Sequence, residues 1–330
     1  MSRAIPTVLS LLALAVAAPT AGAASNPWLV KQPLNIAHQG GEDEFPSNTM
    51  YAFERSLKAG ADMLELDVGV TKDDQVVVMH DTALDRTTSG TGTIASHTLK
   101  QIEKLDGAYW FHAADNAYRH DRKASAYTWR GIATGKRRAP KGYTAADFRV
   151  PTLKQVLKAF PKTPINIEIK GRTKAEAVAE YERNAVVLGR LLKTSPRRDL
   201  IVVSFKQEAV DRFHAIAPKI PLAPGIGGTA DWLLGGKSPG ENVVAFQLPI
   251  TYVLNGTTLD ITTAANVANA HKDGYAWHTW LSDDGESPTT WGSLLDMGVD
   301  GVMTAKPKEF AALLRKRGLG HELHGKPPTR

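Results

Sequence analysis

Short apolar, β-branched runs alternate along most of the chain with segments of helical period. Strands are predicted at Leu34–His38, Met63–Thr71, Pro164–Lys170, Leu200–Phe205, Leu222–Ile226, Val243–Leu248, Tyr275–Leu281 and Val299–Thr304. Between them the 3.6-residue period predicts helices over Asn48–Ala59, Leu153–Phe160, Ala175–Lys193, Gln207–Ala217, Ala264–His271 and Trp291–Met297. Gly60 and Gly298 stand just past two of these helices, where a left-handed C-terminal cap favours glycine. Eight strands alternating with helices predict an α/β fold, a (β/α)8 TIM barrel. An open doubly wound sheet is the alternative, but no G-x-G-x-x-G follows the first strand.

Three stretches break the pattern. Residues 1–23 combine Arg3, an apolar run from Ile5 to Ala18 and the small residues Ala21-Gly22-Ala23. That is the layout of a signal peptide, so export to the cell exterior or periplasm after cleavage near Ala23 is expected. The run is short for crossing ~30 Å of hydrocarbon, and no other stretch is apolar enough to span, so no stable membrane span is expected. From about 82 to 150 there is no α/β period. That stretch carries eight of the chain's 24 aromatic residues, between Tyr109 and Phe148. So long a loop is expected to be functional, and it reads as a small insertion subdomain capping one end of a barrel domain over 24–320. The polar segment 321–330 reads as a flexible tail.

Composition narrows the chemistry. The 330 residues include no Cys, which excludes disulfides, thiolate metal sites and a cysteine nucleophile. Lys and Arg number 40 against 34 Asp and Glu, a net charge of +6 that suits an anionic substrate. It does not point to nucleic acid, since the dense basic run Lys136-Arg137-Arg138 fits a solvated loop.

Candidate catalytic residues gather where the strands end, which is where a barrel places its chemistry. His38 ends the first strand. Glu65 and Asp67, two apart on the second, share one face. Glu168 and Lys170 repeat that spacing on the third, and an alternating run Gln75–Met79 leads to His80-Asp81. Carboxylates aimed into a barrel are costly unless paired or bound to a cation. Three of them without thiolates suit one hard divalent ion, Mg²⁺ or Ca²⁺. Two histidines suit a general acid and a general base, and a lysine beside a metal suits an anionic group. Together these describe phosphoryl chemistry.

The order of motifs carries a family resemblance. Ala37-His38-Gln39-Gly40-Gly41, Phe45-Pro46-Ser47-Asn48-Thr49, Gly60-Ala61-Asp62-Met63-Leu64-Glu65-Leu66-Asp67-Val68, Thr71-Lys72-Asp73 and His80-Asp81 follow one another, with Arg86-Thr87-Thr88, Pro151-Thr152-Leu153, Ile167–Lys170 and Val299–Thr304 further on. The whole resembles the glycerophosphodiester phosphodiesterases, whose opening motifs read HRG, PENT, GAD-x-x-E-x-DV and HD. The resemblance implies a capped barrel, a divalent cation on Glu65, Asp67 and Glu168, and His38 and His80 as the acid/base pair. It also implies a phosphate contact from Lys170 and a pocket-lining role for Trp280.

Three positions depart from the family pattern. The HRG arginine is Gln39, the PENT glutamate is Ser47 with Glu42 and Glu44 nearby, and the aspartate after the last strand is Ala305. Loss of a charge-assisted contact at Gln39 is expected to weaken transition-state stabilisation unless another cation, such as Arg86, Arg119 or Arg130, replaces it. The expected reaction is metal-assisted hydrolysis of a glycerophosphodiester to glycerol 3-phosphate and an alcohol, with water or the glycerol 2-hydroxyl as nucleophile. The HQGG opening and the aromatic insertion equally resemble the lysophospholipase D branch, where an apolar lid would meet an acyl chain and peripheral lipid contact is compatible. A barrel that binds glycerophosphoryl groups without cleaving them is the third alternative. The head group, the choice between Mg²⁺ and Ca²⁺, and the oligomeric state are left open.

Overall fold

The computed structural model describes residues 26–30, 32–113, 118–172, 178–254, 256–281 and 285–319. The expected signal peptide 1–23 and tail 321–330 lie outside the described residues. Among the described residues there are ten strands: β1 (Leu34–Ala37), β2 (Met63–Val70), β3 (Val76–Val78), β4 (Ile165–Ile169), β5 (Leu200–Val203), β6 (Ala245–Pro249), β7 (Thr251–Leu254), β8 (Thr257–Asp260), β9 (Ala276–Trp280) and β10 (Gly301–Thr304). Seven form a curled sheet in the order β5-β4-β2-β1-β10-β9-β6, with every neighbouring pair parallel.

The ring closes through one residue. Leu222 bridges Val202 of β5 and Val243 just before β6, and its N–H donates to Asn242 O at 3.0 Å while its carbonyl accepts from Val244 N at 2.9 Å. The strand predicted at Leu222–Ile226 is therefore corrected to a single bridge position. Pro221 and Pro224 explain the loss, because proline has no N–H to continue a ladder. Ile226 instead opens a helix.

The helices are α1 (Met50–Ala59), α2 (Leu99–Ile102), α3 (Leu153–Ala159), α4 (Val178–Leu192), α5 (Gln207–His214), α6 (Ile226–Gly235), α7 (Ala264–Lys272), α8 (Pro288–Met297) and α9 (Pro307–Lys316). Thr49 caps α1 by accepting from Ala52 N at 3.1 Å, and Gly60 and Gly298 take the left-handed conformation expected of them. The pattern did not anticipate α6, α9 or the β7–β8 hairpin.

Strand β2 shows how the layers divide. All eight of its residues are buried. Leu64, Leu66, Val68 and Val70 pack outward with residues of α1, α3 and α4, whereas Met63 joins Ile36, Ile201, Ala245, Ala276 and Met303 inside the ring. Glu65 and Asp67, on the same face as Met63, therefore point into the barrel toward its C-terminal end. At the opposite end Trp28 is buried against the inner core, and Asn26 Nδ2 ties its segment down by donating to Val244 O (2.6 Å) and Gly274 O (2.9 Å).

The described residues between β3 and α3 form the short α2, three 3-10 turns (Ile94–Ser96, Ala124–Ala126 and Ala145–Phe148) and loops, with a core of their own. Tyr51 of α1 stacks on Phe148 with ring centroids 4.7 Å apart and meets Trp129 at 5.0 Å. The Arg130 guanidinium lies 4.0 Å over Tyr127, 4.1 Å over Tyr109 and 4.5 Å over Trp110. Phe148, Trp129, Tyr127, Tyr109 and Trp110 are thus spent on holding the segment together, whereas Tyr118 of the same segment lines the cavity at the C-terminal end of the strands. Arg130 is likewise a structural cation.

Candidate active site

A cavity of about 1030 Å³ opens at the C-terminal end of the parallel strands. One side is charged. Register sets Asp67 beside Glu168 across β2 and β4, and Glu65 one pleat before Asp67. One carboxylate oxygen from each of the three residues lies within 4.8 Å of the others. Asp67 and Glu65 are buried, and Glu168 is nearly so. Lys170, one residue past β4, places Nζ 2.9 Å from Glu168 Oε1 and 3.3 Å from Asp67 Oδ1.

The turn after β1 folds around this cluster. Gln39, Gly40 and Gly41 all have positive φ. Such backbone is costly for Gln, but here it aims Gln39 N–H at Glu65 Oε2 (2.7 Å), while Asn48 N donates to Gln39 O at 2.8 Å. Gly41 has no alternative, since a Cβ there would meet Pro307 at 2.7 Å. Asn48, also at positive φ, donates from Nδ2 to Asp67 Oδ2 at 3.0 Å. The asparagine of the PENT-like motif is thereby a positioning residue for a carboxylate.

His38 and His80 face the same cavity. His38 Nδ1 lies 2.8 Å from Glu42 Oε1, and its Nε2 is 3.9 Å from Glu65 Oε2. His80 Nδ1 lies 2.6 Å from Asp81 Oδ1, and Arg86 Nε donates to the other oxygen of Asp81. Each histidine thus has one ring nitrogen held by a carboxylate and the other available.

Electrostatics follow from crowding. Burial and the neighbouring Asp67 charge push the Glu65 carboxyl well above the usual carboxylate range. Burial opposes ionisation of Asp67 too, but Lys170, His80 and His38 outweigh it and hold its carboxyl low. For Glu168 burial wins despite Lys170, and its carboxyl is raised. Burial likewise disfavours a charged His38, yet Glu42, Glu65 and Asp67 overcome it and push its pKa up to about 10. Burial would raise Asp81, but His80 and Arg86 bring it down to about 2.

All eight residues singled out from the sequence, His38, Gln39, Glu65, Asp67, His80, Glu168, Lys170 and Trp280, come together here; seven line the cavity, and Asp67 joins the cluster just beneath it. Gln39 is buried, its Oε1 accepting from Ser47 Oγ at 2.8 Å, so two of the departures from the family pattern pair with each other. Trp280, the last residue of β9, meets Phe205 edge-on at 5.8 Å. Of the candidate replacement cations, Arg86 and Arg119 line the cavity.

Two acidic residues near the first motif have separate duties. Glu42 holds His38, whereas Glu44 accepts from the N–H groups of Lys308 (2.9 Å) and Glu309 (3.3 Å) in the first turn of α9. Sequence reasoning missed Glu286. Its Oε1 accepts from Ala305 N at 2.7 Å and its other oxygen from Thr304 Oγ1, so a carboxylate from the β9–α8 connection reaches the position where the family aspartate is replaced. It stands one residue before the helix cap Ser287, outside α8, where an acid has no distinguishing local signal.

The other side of the cavity is apolar, lined by Phe205, by Ile226 and Leu234 of α6, and by Tyr252, Leu254 and Leu259 of the hairpin.

Comparison with known proteins agrees with this arrangement. The chain is similar to the glycerophosphodiester phosphodiesterase of Bacillus subtilis (strain 168), at 29% identity over 305 residues, 92% of this chain and 93% of that one. It is similar to human lysophospholipase D GDPD1 over a shorter stretch, 39% over 142 residues, 41% of this chain and 36% of that protein. In fold it resembles an Oleispira antarctica phosphodiesterase solved in complex with the product sn-glycerol-3-phosphate, with a TM-score of 0.60, 18% identity, and coverage of 86% of this chain and 97% of the other. The pattern of the glycerophosphoryl diester phosphodiesterase family matches residues 38–309. The chain belongs to that family, and it is an enzyme of that class, a phosphoric diester hydrolase.

Proposed function

We propose that the protein hydrolyses glycerophosphodiesters to glycerol 3-phosphate and an alcohol, using one divalent cation, Mg²⁺ or Ca²⁺, with His38 and His80 as the acid/base pair. The observation that carries this reading is the convergence of three carboxylates within 4.8 Å at a cavity that also holds two histidines.

The residues fit a cation. With all three carboxylates ionised, as ligands must be, their charge exceeds that of the Lys170 ammonium by two, which a divalent cation would balance. Buried Asp67 Oδ1 has the Lys170 ammonium 3.3 Å away but makes no hydrogen bond of good geometry. All the donors are hard oxygens, the set that Mg²⁺ and Ca²⁺ prefer. When bound, the ion supplies Lewis-acid polarisation of the non-bridging phosphate oxygens.

The remaining roles fall to side chains of this protein. Lys170 and Arg86 attract and orient the anionic diester. Asn48 and the Gln39 N–H keep Asp67 and Glu65 in place. Glu42 and Asp81 each hold one histidine nitrogen, so that one ring removes the proton of the attacking hydroxyl and the other protonates the leaving alkoxide. Each ring is expected to supply roughly 10²–10⁴-fold. Lysophospholipids carry the same diester and fall within the same reaction.

A product assay over glycerophosphocholine, glycerophosphoethanolamine and glycerophosphoinositol tests the reading. Cation-dependent release of glycerol 3-phosphate is expected. Release of a phosphorylated head group instead, or binding without turnover, would contradict it.

We also propose that residues 1–23 are removed on export, with support from Arg3, the apolar run and the Ala21-Gly22-Ala23 site. Sequencing the N-terminus of exported protein should begin near Ala24. An intact Met1 on exported protein would overturn that.

A further inference from the structure

We infer that the Tyr118 hydroxyl donates a hydrogen bond to a non-bridging oxygen of the bound phosphodiester, so that the insertion supplies the barrel with a substrate-binding residue. The inference rests on the phosphodiesterase reading above and adds a neutral donor to the cations already placed there.

Among the described residues, two arginines and two lysines line the cavity, and each is drawn to a carboxylate. Lys170 sits between Glu168 and Asp67, and Arg86 Nε donates to Asp81. Lys306 Nζ lies 4.0 Å from Asp43 Oδ2. Arg119 is half exposed, and its Nε donates to Asp121 Oδ1 at 3.2 Å. A cation shared with a carboxylate has fewer N–H groups left, and part of its charge is neutralised. The non-bridging oxygens of a diester accept several hydrogen bonds between them, so a donor not tied to a carboxylate adds what these cations lack.

Tyr118 is such a donor. It lines the cavity, with the Arg86 guanidinium 5.1 Å from its ring centroid. Its oxygen accepts from Ser47 N. A phenol carries one proton, and this contact leaves that proton directed away from Ser47 N. Ser47 Oγ is itself turned to Gln39 Oε1 at 2.8 Å, and no carboxylate among the described residues accepts from Tyr118. Burial pushes the phenol well above the ordinary tyrosine range, so the proton is retained at neutral pH.

The ring is held from several sides. Phe111, fully buried, meets it at 5.9 Å. Two residues on, His120 stacks on Trp110 with centroids 3.9 Å apart, and its Nε2 lies 3.0 Å from Arg86 O. Between them, Arg119 O accepts from Tyr127 Oη at 2.7 Å. Residues 118–120 are thereby tied both to the insertion core and to the loop that carries Arg86. A donor already in place costs no reorganisation when the anion arrives.

Ser47 joins Tyr118 to the turn after β1. The residue whose Oγ engages the buried Gln39 amide also gives its N–H to Tyr118. The hydroxyl thus lies next to the position where a neutral side chain replaces the motif's arginine.

Tyr118→Phe keeps the ring and deletes the hydroxyl. The test compares wild type and variant on glycerophosphocholine and on the two diastereomers of its phosphorothioate, each with sulfur, a poor acceptor, at one non-bridging position. The variant should lose roughly 10–100-fold in kcat/KM on the oxygen substrate and on one diastereomer. On the other, where sulfur already replaces the contacted oxygen, the loss should be about threefold or less, because the two changes remove one contact. Inhibition constants serve where a phosphorothioate turns over too slowly. Circular dichroism and the cation concentration for half-activation should be unchanged.

Equal effects on the two diastereomers overturn the inference and assign the hydroxyl to holding the Ser47–Gln39 turn. A loss below about threefold on the oxygen substrate, a shifted half-activation or a variant that does not fold overturns it too. A wild type that cleaves none of these substrates contradicts the phosphodiesterase reading instead. The donor is then judged by calorimetry with sn-glycerol 3-phosphate, which Tyr118→Phe should bind at least about tenfold more weakly; equal affinity overturns it.

Discussion

The two sides of the cavity are built by opposite means. The charged side hangs on β2 and β4, buried strands whose register fixes Asp67 beside Glu168. The apolar side consists of an exposed hairpin and a helix added after the strands have ended. Groups that must hold a cation and move protons need placement within a fraction of an ångström, which ordered strands provide. An apolar wall needs only shape and apolarity, and peripheral elements suffice. Substitutions on the two sides should therefore fail differently, by lost turnover on one and by altered substrate choice on the other.

The largest separation should come from the cation. Exhaustive chelation is expected to reduce hydrolysis of every substrate to background, restored by Mg²⁺ or Ca²⁺, with the apolar side unable to compensate. Next come the histidines. His38→Ala and His80→Ala should each lower kcat by roughly 10²–10⁴-fold, with an unchanged circular dichroism spectrum; near-wild-type turnover in either removes that ring from the mechanism.

A smaller, graded effect follows from pH. Burial and the Asp67 charge raise Glu65 to about 8 in the cation-free protein, and a ligating carboxylate must lose its proton. Cation affinity should therefore increase as pH rises toward about 8 and level off above it. Calorimetry in buffers of different ionisation enthalpy should detect proton release below that pH. For the cation-free fold the sign is reversed. A carboxyl raised from 4.5 favours the folded state less as pH climbs from about 4.5 to about 8, so thermal stability without cation should fall over that window.

The smallest effect lies away from both sides. Arg130→Lys loses a planar cation set among three rings and should cost on the order of 1–2 kcal/mol of stability, read from denaturant midpoints, with kcat on glycerophosphocholine unchanged.

This contrast also governs what could be read in the sequence. His38, Glu65, Asp67, His80, Glu168 and Lys170 stand at strand ends in ordered motifs, and period-2 alternation alone puts Glu65 and Asp67 on one face. The eighth strand position at Leu222 was legible only as an apolar run, because flanking prolines leave it one bridge long. The hairpin was obscured by its composition. In Thr251–Asp260 the apolar residues are the short run Tyr252-Val253-Leu254 and an isolated Leu259, and only register shows that Tyr252, Leu254 and Leu259 share one face. The aromatic insertion misled in the other direction, since sequence does not tell an aromatic residue that binds ligand from one that packs on Arg130. Glu286 reaches the site across the β9–α8 connection, a tertiary contact with no local signature.

The central claim, that turnover depends on a cation held by the strand carboxylates, is tested most directly by titrating Mg²⁺ or Ca²⁺ into cation-stripped wild type and Glu65→Gln while following release of glycerol 3-phosphate from glycerophosphocholine. Saturable activation of the wild type, with the variant needing at least about tenfold more cation or failing to respond, is the predicted result. A stripped enzyme that runs at full rate, or a variant with the wild-type activation curve, would contradict it.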